Sequence, residues 1–155
     1  MSSIEVGSRV ADFSLPATGD RTVSLSDLAG RNVVVFFYPK ADTPGCTREG
    51  QDFRDLYEQF RAANTEILGV SRDSVRAQEN FSGKYDFPFP LLSDKDETLC
   101  RQFDVIREKN MYGRKVMGVD RSTFLIDASG VLRREWRGVK VKGHAAEVLE
   151  AAKSL

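Results

Sequence analysis

The stretch that most constrains this chain runs from Val33 to Tyr38 and straight on through Pro39-Lys40-Ala41-Asp42-Thr43-Pro44-Gly45-Cys46. The apolar run Val33-Val-Val-Phe-Phe-Tyr38 does not alternate, the pattern of a strand covered on both faces. Past the loop, Phe53, Leu56, Tyr57 and Phe60 recur at helical spacing. A buried strand, a short loop and a helix start therefore follow one another. Pro44 suits the first helical position, where its missing N–H is no loss. Thr43 stands where an N-cap is expected. Cys46 then falls in the first turn, where unpaired N–H groups and the helix dipole favour negative charge, one of the settings that turns a thiol into a reactive thiolate. Steps of seven from Cys46 reach Phe53 and Phe60, so the sulfur shares the apolar face and is expected to be tucked in. A small buried cysteine without chemistry satisfies the same spacing. It leaves Thr-Pro-Gly immediately ahead of the cysteine unexplained.

The rest of the chain supplies partners for this unit. Val10 to Leu15 and Thr22 to Leu25, across the turn residues 17–20, suggest a β-hairpin. The first long helix is expected from Gly45 to about Ala63. Thr65–Ser71 reads as a second buried strand, parallel to the first through a right-handed crossover. Ser74–Tyr85 is a second helix. Prolines exclude helix from Phe87 to Leu92. Asp94 and Glu97 have capping-box spacing ahead of Leu99, Cys100 and Phe103. Arg107 to Gly118, polar and bounded by glycine, is expected to be a loop. Ser122–Asp127 and Val131–Trp136 flank Ala-Ser-Gly as an antiparallel hairpin, and Ala145–Leu155 closes the chain as a helix. By pattern alone this is an α/β chain with a mixed sheet.

The 155 residues suit one domain, 1–155. Lys and Arg number 23 and Asp and Glu number 23, so net charge makes no case for nucleic acid or an anionic membrane. No apolar stretch has transmembrane length, and the N-terminal residues resemble no signal peptide. Two cysteines are too few for a disulfide framework. The expectation is a cytoplasmic protein.

Pro39, Thr43 and Cys46 fit the Pro-x-x-x-Thr-x-x-Cys motif of peroxiredoxins. The longer string Tyr38-Pro-Lys-Ala-Asp-Thr-Pro-Gly-Cys-Thr47 resembles the peroxiredoxin Q subfamily, also called bacterioferritin comigratory proteins. Phe89-Pro-Leu-Leu-Ser-Asp94 and Met111-Tyr-Gly-Arg-Lys-Val-Met-Gly-Val-Asp-Arg121-Ser-Thr-Phe-Leu-Ile-Asp127 resemble the same subfamily, in the same order. The resemblance implies a thioredoxin-like fold, a mixed central sheet flanked by helices, with an N-terminal β-hairpin extension. It implies a thiol peroxidase that reduces hydrogen peroxide and small organic hydroperoxides through a Cys46 sulfenic acid. No metal, flavin or haem is implied, and the expected state is a monomer. By the same resemblance, the Thr43 hydroxyl contacts peroxide and thiolate. Arg121 lies beside the sulfur, where its charge favours the thiolate and its donors bind peroxide. Pro39 shapes the pocket. The N–H groups of Gly45 and Cys46 are further candidate donors by helix geometry.

The chain departs from the family at the second thiol. Many members carry a resolving cysteine five residues after the first, where this chain has Gln51; others carry it near the position of Ser82. Cys100 matches neither position and reads as a buried structural thiol between Leu99 and Phe103. The expectation is a one-cysteine enzyme recycled by an external thiol, thioredoxin or glutaredoxin with glutathione. The alternatives are a Cys46–Cys100 disulfide, or a redox sensor or holdase without turnover. A disulfide oxidoreductase is disfavoured, because the positions three away from Cys46 are Thr43 and Glu49. His144, the only histidine, is expected to serve as a cap or at the surface. Arg133, Arg134, Arg137, Lys140 and Lys142 are expected to form a solvated edge, with an anion or partner site as the lesser reading.

Overall fold

The computed structural model describes residues 4–155; the first three residues of the N-terminal stretch read above lie outside them. Nine strands and five α-helices run in the order β1 (Ser14–Ala17), β2 (Arg21–Ser24), β3 (Asn32–Phe37), α1 (Pro44–Asp55), α2 (Tyr57–Ala62), β4 (Thr65–Ser71), α3 (Val75–Tyr85), β5 (Leu91–Ser93), α4 (Thr98–Gln102), β6 (Ile106–Met111), β7 (Arg114–Val119), β8 (Ser122–Ile126), β9 (Leu132–Trp136) and α5 (His144–Lys153). Seven of the strands form one sheet in the order β2-β1-β5-β4-β3-β8-β9. β3, β4 and β5 are parallel; β8 runs antiparallel beside β3, and β9 antiparallel beside β8.

The non-alternating run behaves as its pattern requires. Val33, Val35 and Phe37 point into one core, with Leu68, Cys100, Phe103 and Phe124. Val34, Phe36 and Tyr38 point into the other, with Cys46, Phe53, Phe60, Phe81 and Val148. Helices α1, α2, α3 and α5 cover the second face; α4 and the N-terminal segment cover the first. The predicted helix from Gly45 to Ala63 is interrupted at Leu56 (φ −103°, ψ 2°), whose N–H bonds three residues back to Phe53 rather than four. Phe53, Tyr57 and Phe60 stay buried through the break.

Four other expectations need correction. The first strand begins at Ser14 rather than Val10 and runs through Pro16, which is tolerated because β1 meets β5 only at Ala17 opposite Leu92. The capping box does not form. Glu97 sits at φ 62° and pairs with Arg72 and Arg101, while the Asp94 carboxylate reaches forward to the N–H groups of Leu99 (3.1 Å) and Cys100 (2.7 Å). Residues 107–118, expected as a loop, are the two-stranded hairpin β6–β7 turned at Tyr112-Gly113, both at positive φ. Most of its side chains face solvent, so no apolar alternation marks it. His144 is buried, 5% exposed, and its Nε2 lies 2.8 Å from the Thr123 hydroxyl.

Candidate active site

Sheet topology brings three chain segments to one end of the sheet. β3 ends there at Phe37, opposite Ser122 at the start of β8. Trp136, at the end of β9, lies opposite Thr123. The loop after β3 thus carries Pro39, Thr43 and Cys46 toward Arg121, which precedes β8. That loop is pinned from below. The Ala41 N–H donates to Asp73 at 2.8 Å, and Asp42, at φ 59°, takes Lys84 and the Tyr85 hydroxyl from α3. Beneath it the Tyr38 hydroxyl donates to buried Gln78.

Cys46 is 1% exposed, as its shared face with Phe53 predicts. Arg121 Nη2 donates to its sulfur at 3.4 Å, and Nη1 donates to Glu49 Oε1 at 2.7 Å. One guanidinium therefore spans the thiol and a carboxylate one helical turn further along α1. The Arg121 side chain is 17% exposed and that of Glu49 1%. Burial works against the charge on Arg121, but the neighbouring Glu49 and Cys46 sulfur outweigh it and raise its pKa. Burial pushes the Glu49 carboxyl up to about 7 against the pull of Arg121. Its Oε2 is buried without a hydrogen-bond partner.

Thr43 occupies the N-cap position, but its hydroxyl donates to the Lys40 carbonyl (2.8 Å) and makes no capping bond. The first bond of α1 runs from the Thr47 N–H to the Thr43 carbonyl. The N–H groups of Gly45 and Cys46 consequently have no acceptor among the described residues. They are donors available to a bound oxygen beside the sulfur. Gly45 is itself shaped by the site: a Cβ there would stand 3.1 Å from Arg121 Nη2. The structure thus gathers Cys46, Gly45 and Arg121 and sets Thr43 and Pro39 on the approach to them. Cys100 it places elsewhere, on the opposite face of the sheet, fully buried. Burial and nearby Asp94 push its thiol far up.

Glu49 is the residue that the sequence reading missed as a participant. A signal existed: it is an acid three residues from Cys46, on the apolar side of α1, next to Gly50 and Phe53. Chemically, the cluster holds a soft nucleophile under a fixed cation, with two free N–H donors at a helix start. Such a site suits attack on a small neutral electrophile whose leaving atom gains negative charge.

Comparison with known proteins gives the family and fold. The model of the AhpC/TSA family matches residues 6–135. The chain is 51% identical over 151 residues to Peroxiredoxin Bcp of Xanthomonas campestris, covering 97% of this chain and 94% of that one. It is 46% identical over 153 residues to Peroxiredoxin Bcp of Bacillus subtilis, covering 99% and 98%. Among solved structures, a Xylella fastidiosa PrxQ mutant superposes with a TM-score of 0.93 at 44% identity, covering 99% and 98%. The bacterioferritin comigratory protein of X. campestris, described for its alkyl peroxide reduction activity, superposes with a TM-score of 0.88 at 53% identity, covering 92% and 90%.

Proposed function

The chain belongs to the AhpC/TSA family, as a thiol peroxidase of the Bcp (PrxQ) peroxiredoxins, and from that premise we propose that it reduces hydrogen peroxide and small organic hydroperoxides by a one-cysteine cycle. The observation that carries the reading is the bridge made by Arg121 between Cys46 and Glu49. Cys46 attacks the peroxide oxygen as thiolate, the O–O bond breaks, and water or an alcohol leaves once protonated. The sulfur becomes sulfenic acid. Arg121 and the N–H groups of Gly45 and Cys46 stabilise charge on the leaving oxygen, and Thr43 and Pro39 line its approach. The whole chain, 1–155, acts as one peroxiredoxin domain and as a monomer. Its two free cysteines suit a reducing compartment such as the cytoplasm.

The one-cysteine reading is supported by where the thiols lie. Cys46 and Cys100 belong to cores on opposite faces of the sheet, whereas a disulfide needs Cα atoms within about 7 Å. An external thiol therefore reduces the sulfenic acid. Intact mass after one equivalent of hydrogen peroxide, with a sulfenic-acid trap, tests this. One trapped adduct on Cys46 with Cys100 still free is expected, and Cys100→Ser retains turnover. Loss of two hydrogens with both thiols blocked would replace the one-cysteine cycle by a Cys46–Cys100 disulfide. Oxidation of Cys46 without turnover by any added thiol would leave a redox sensor.

A further inference from the structure

The basic stretch singled out in the sequence surrounds a second feature at the Cys46 end of the sheet. The loop joining β9 to α5 leaves the sheet beside Arg121, and its Val139 N–H donates to the Arg121 carbonyl at 2.9 Å. Between this loop and the start of α5 lies a cleft of 340 Å³ lined by Trp136, Arg137, Lys140, Lys142 and Glu147 among others. Its charges are not balanced. Glu147 already takes the Trp136 indole N–H (2.8 Å) and pairs with Arg134 (3.5 Å). Arg137 is turned into the fold, donating to the carbonyls of Phe103 and Asp104. Lys140 and Lys142 are exposed, and no acid pairs with either among the described residues. An aromatic wall, two unneutralised ammonium groups and a helix start suit a small molecule carrying carboxylates.

We infer that this cleft binds the carboxylates of an anionic low-molecular-weight thiol and delivers its sulfur to oxidised Cys46. The inference rests on the one-cysteine reading above, which requires an outside thiol. One arginine links the two places: Val139, in the cleft wall, donates to the Arg121 carbonyl, and the Arg121 guanidinium donates to the Cys46 sulfur. The sulfur of the bound thiol attacks the sulfenic sulfur, water leaves, and a mixed disulfide forms on Cys46. A second thiol attacks that disulfide, releasing a small disulfide and the Cys46 thiol; the two thiols supply the two electrons. Because Cys46 is 1% exposed, the first turn of α1 opens to admit the thiol.

The test uses glutathione as the anionic probe and glutathione diethyl ester as its carboxylate-masked counterpart. Protein oxidised with one equivalent of peroxide is mixed with each, and the Cys46 adduct is timed by quenched-flow mass spectrometry. Against K140E/K142E, the wild type is expected to react about tenfold faster with glutathione, the scale of two exposed ion pairs lost and reversed. The ester, which keeps only its ammonium charge, loses this preference for the wild type, and the initial oxidation by peroxide is unchanged. K140Q/K142Q gives a smaller loss in the same direction, and salt slows the wild-type reaction with glutathione but not with the ester. Equal glutathione rates in wild type and variant overturn the cleft while leaving the one-cysteine cycle standing. A Cys46–Cys100 disulfide formed before any adduct overturns that cycle and the cleft with it.

Discussion

At the scale of residues, the site depends on a side chain that makes two bonds at once. Arg121 holds Glu49 with one terminal nitrogen and the Cys46 sulfur with the other. A lysine ammonium is a shorter point charge without the planar fork, so it cannot reach both acceptors in this geometry. Arg121→Lys is expected to lower kcat/KM for peroxide about 100-fold while the protein stays folded, the scale of losing one oriented donor at a reacting centre. Peroxide-dependent consumption of a thiol measures the rate, and circular dichroism the fold. In the sequence the motif marked Cys46, Thr43 and Pro39, and the downstream block marked Arg121, which stands 3.4 Å from the sulfur. Two details were not legible. A threonine before a proline reads as a capping residue, but the direction of its hydroxyl depends on the Lys40 carbonyl, which the loop conformation supplies. Glu49 entered the sequence reading only as a position that is not cysteine; its pairing depends on Arg121, which the start of β8 brings to it.

At the scale of elements, helix α1 carries two glycines whose hydrogens face different neighbours. A Cβ on Gly50 would lie 2.4 Å from Phe87 Cζ. That ring cannot swing away easily, being packed against Phe81, Tyr85 and Phe89. Gly50→Ala gains helix propensity of about 1 kcal/mol but overpacks a core at a cost of about 1–3 kcal/mol. A lower urea midpoint with an unchanged peroxide rate is expected. Gly45→Ala meets only the end of Arg121, at 3.1 Å. Its urea midpoint is expected to hold or rise, while the peroxide rate falls about threefold to tenfold as the guanidinium is displaced by a few tenths of an ångström. The same substitution at two places in one helix thus separates stability from chemistry. Of the elements, those with a buried face were legible, β3 and β4 most clearly. The β6–β7 hairpin was not, because a ribbon wet on both sides leaves no hydrophobic period to read.

At the scale of the whole molecule, two buried titratable groups flank Arg121 and give stability opposite pH slopes. Burial lowers His144 to about 4, so the fold holds it neutral while the unfolded chain protonates it below its ordinary 6.5. Its contribution is complete above pH 6.5 and is lost as pH falls toward 4. Burial raises Glu49 from 4.5 to about 7, so the unfolded chain ionises first and stability drains as pH rises from 4.5 to 7. In the wild type the two slopes oppose one another between about pH 4.5 and 6.5. Glu49→Gln is expected to leave only the His144 slope, with stability rising from pH 5 to 6.5. His144→Gln is expected to leave the Glu49 slope, with stability falling from pH 5 to 7. Urea midpoints across this range decide both. The one histidine also gives a single imidazole resonance, expected not to titrate above pH 5.

The sheet that separates the two sulfurs also sets how long the oxidised enzyme waits. On the one-cysteine reading proposed above, Cys100 on the far side offers no competing reaction, and the lifetime of the Cys46 sulfenic acid is dictated by whichever solute arrives next. A thiol returns it to the cycle, whereas a second peroxide drives it to sulfinic acid, a dead end for most proteins. The fraction of enzyme lost per turnover then scales with the ratio of peroxide to thiol. On that reading the chain is a fuse as well as a catalyst: it turns over while thiols are plentiful and retires itself when they run short.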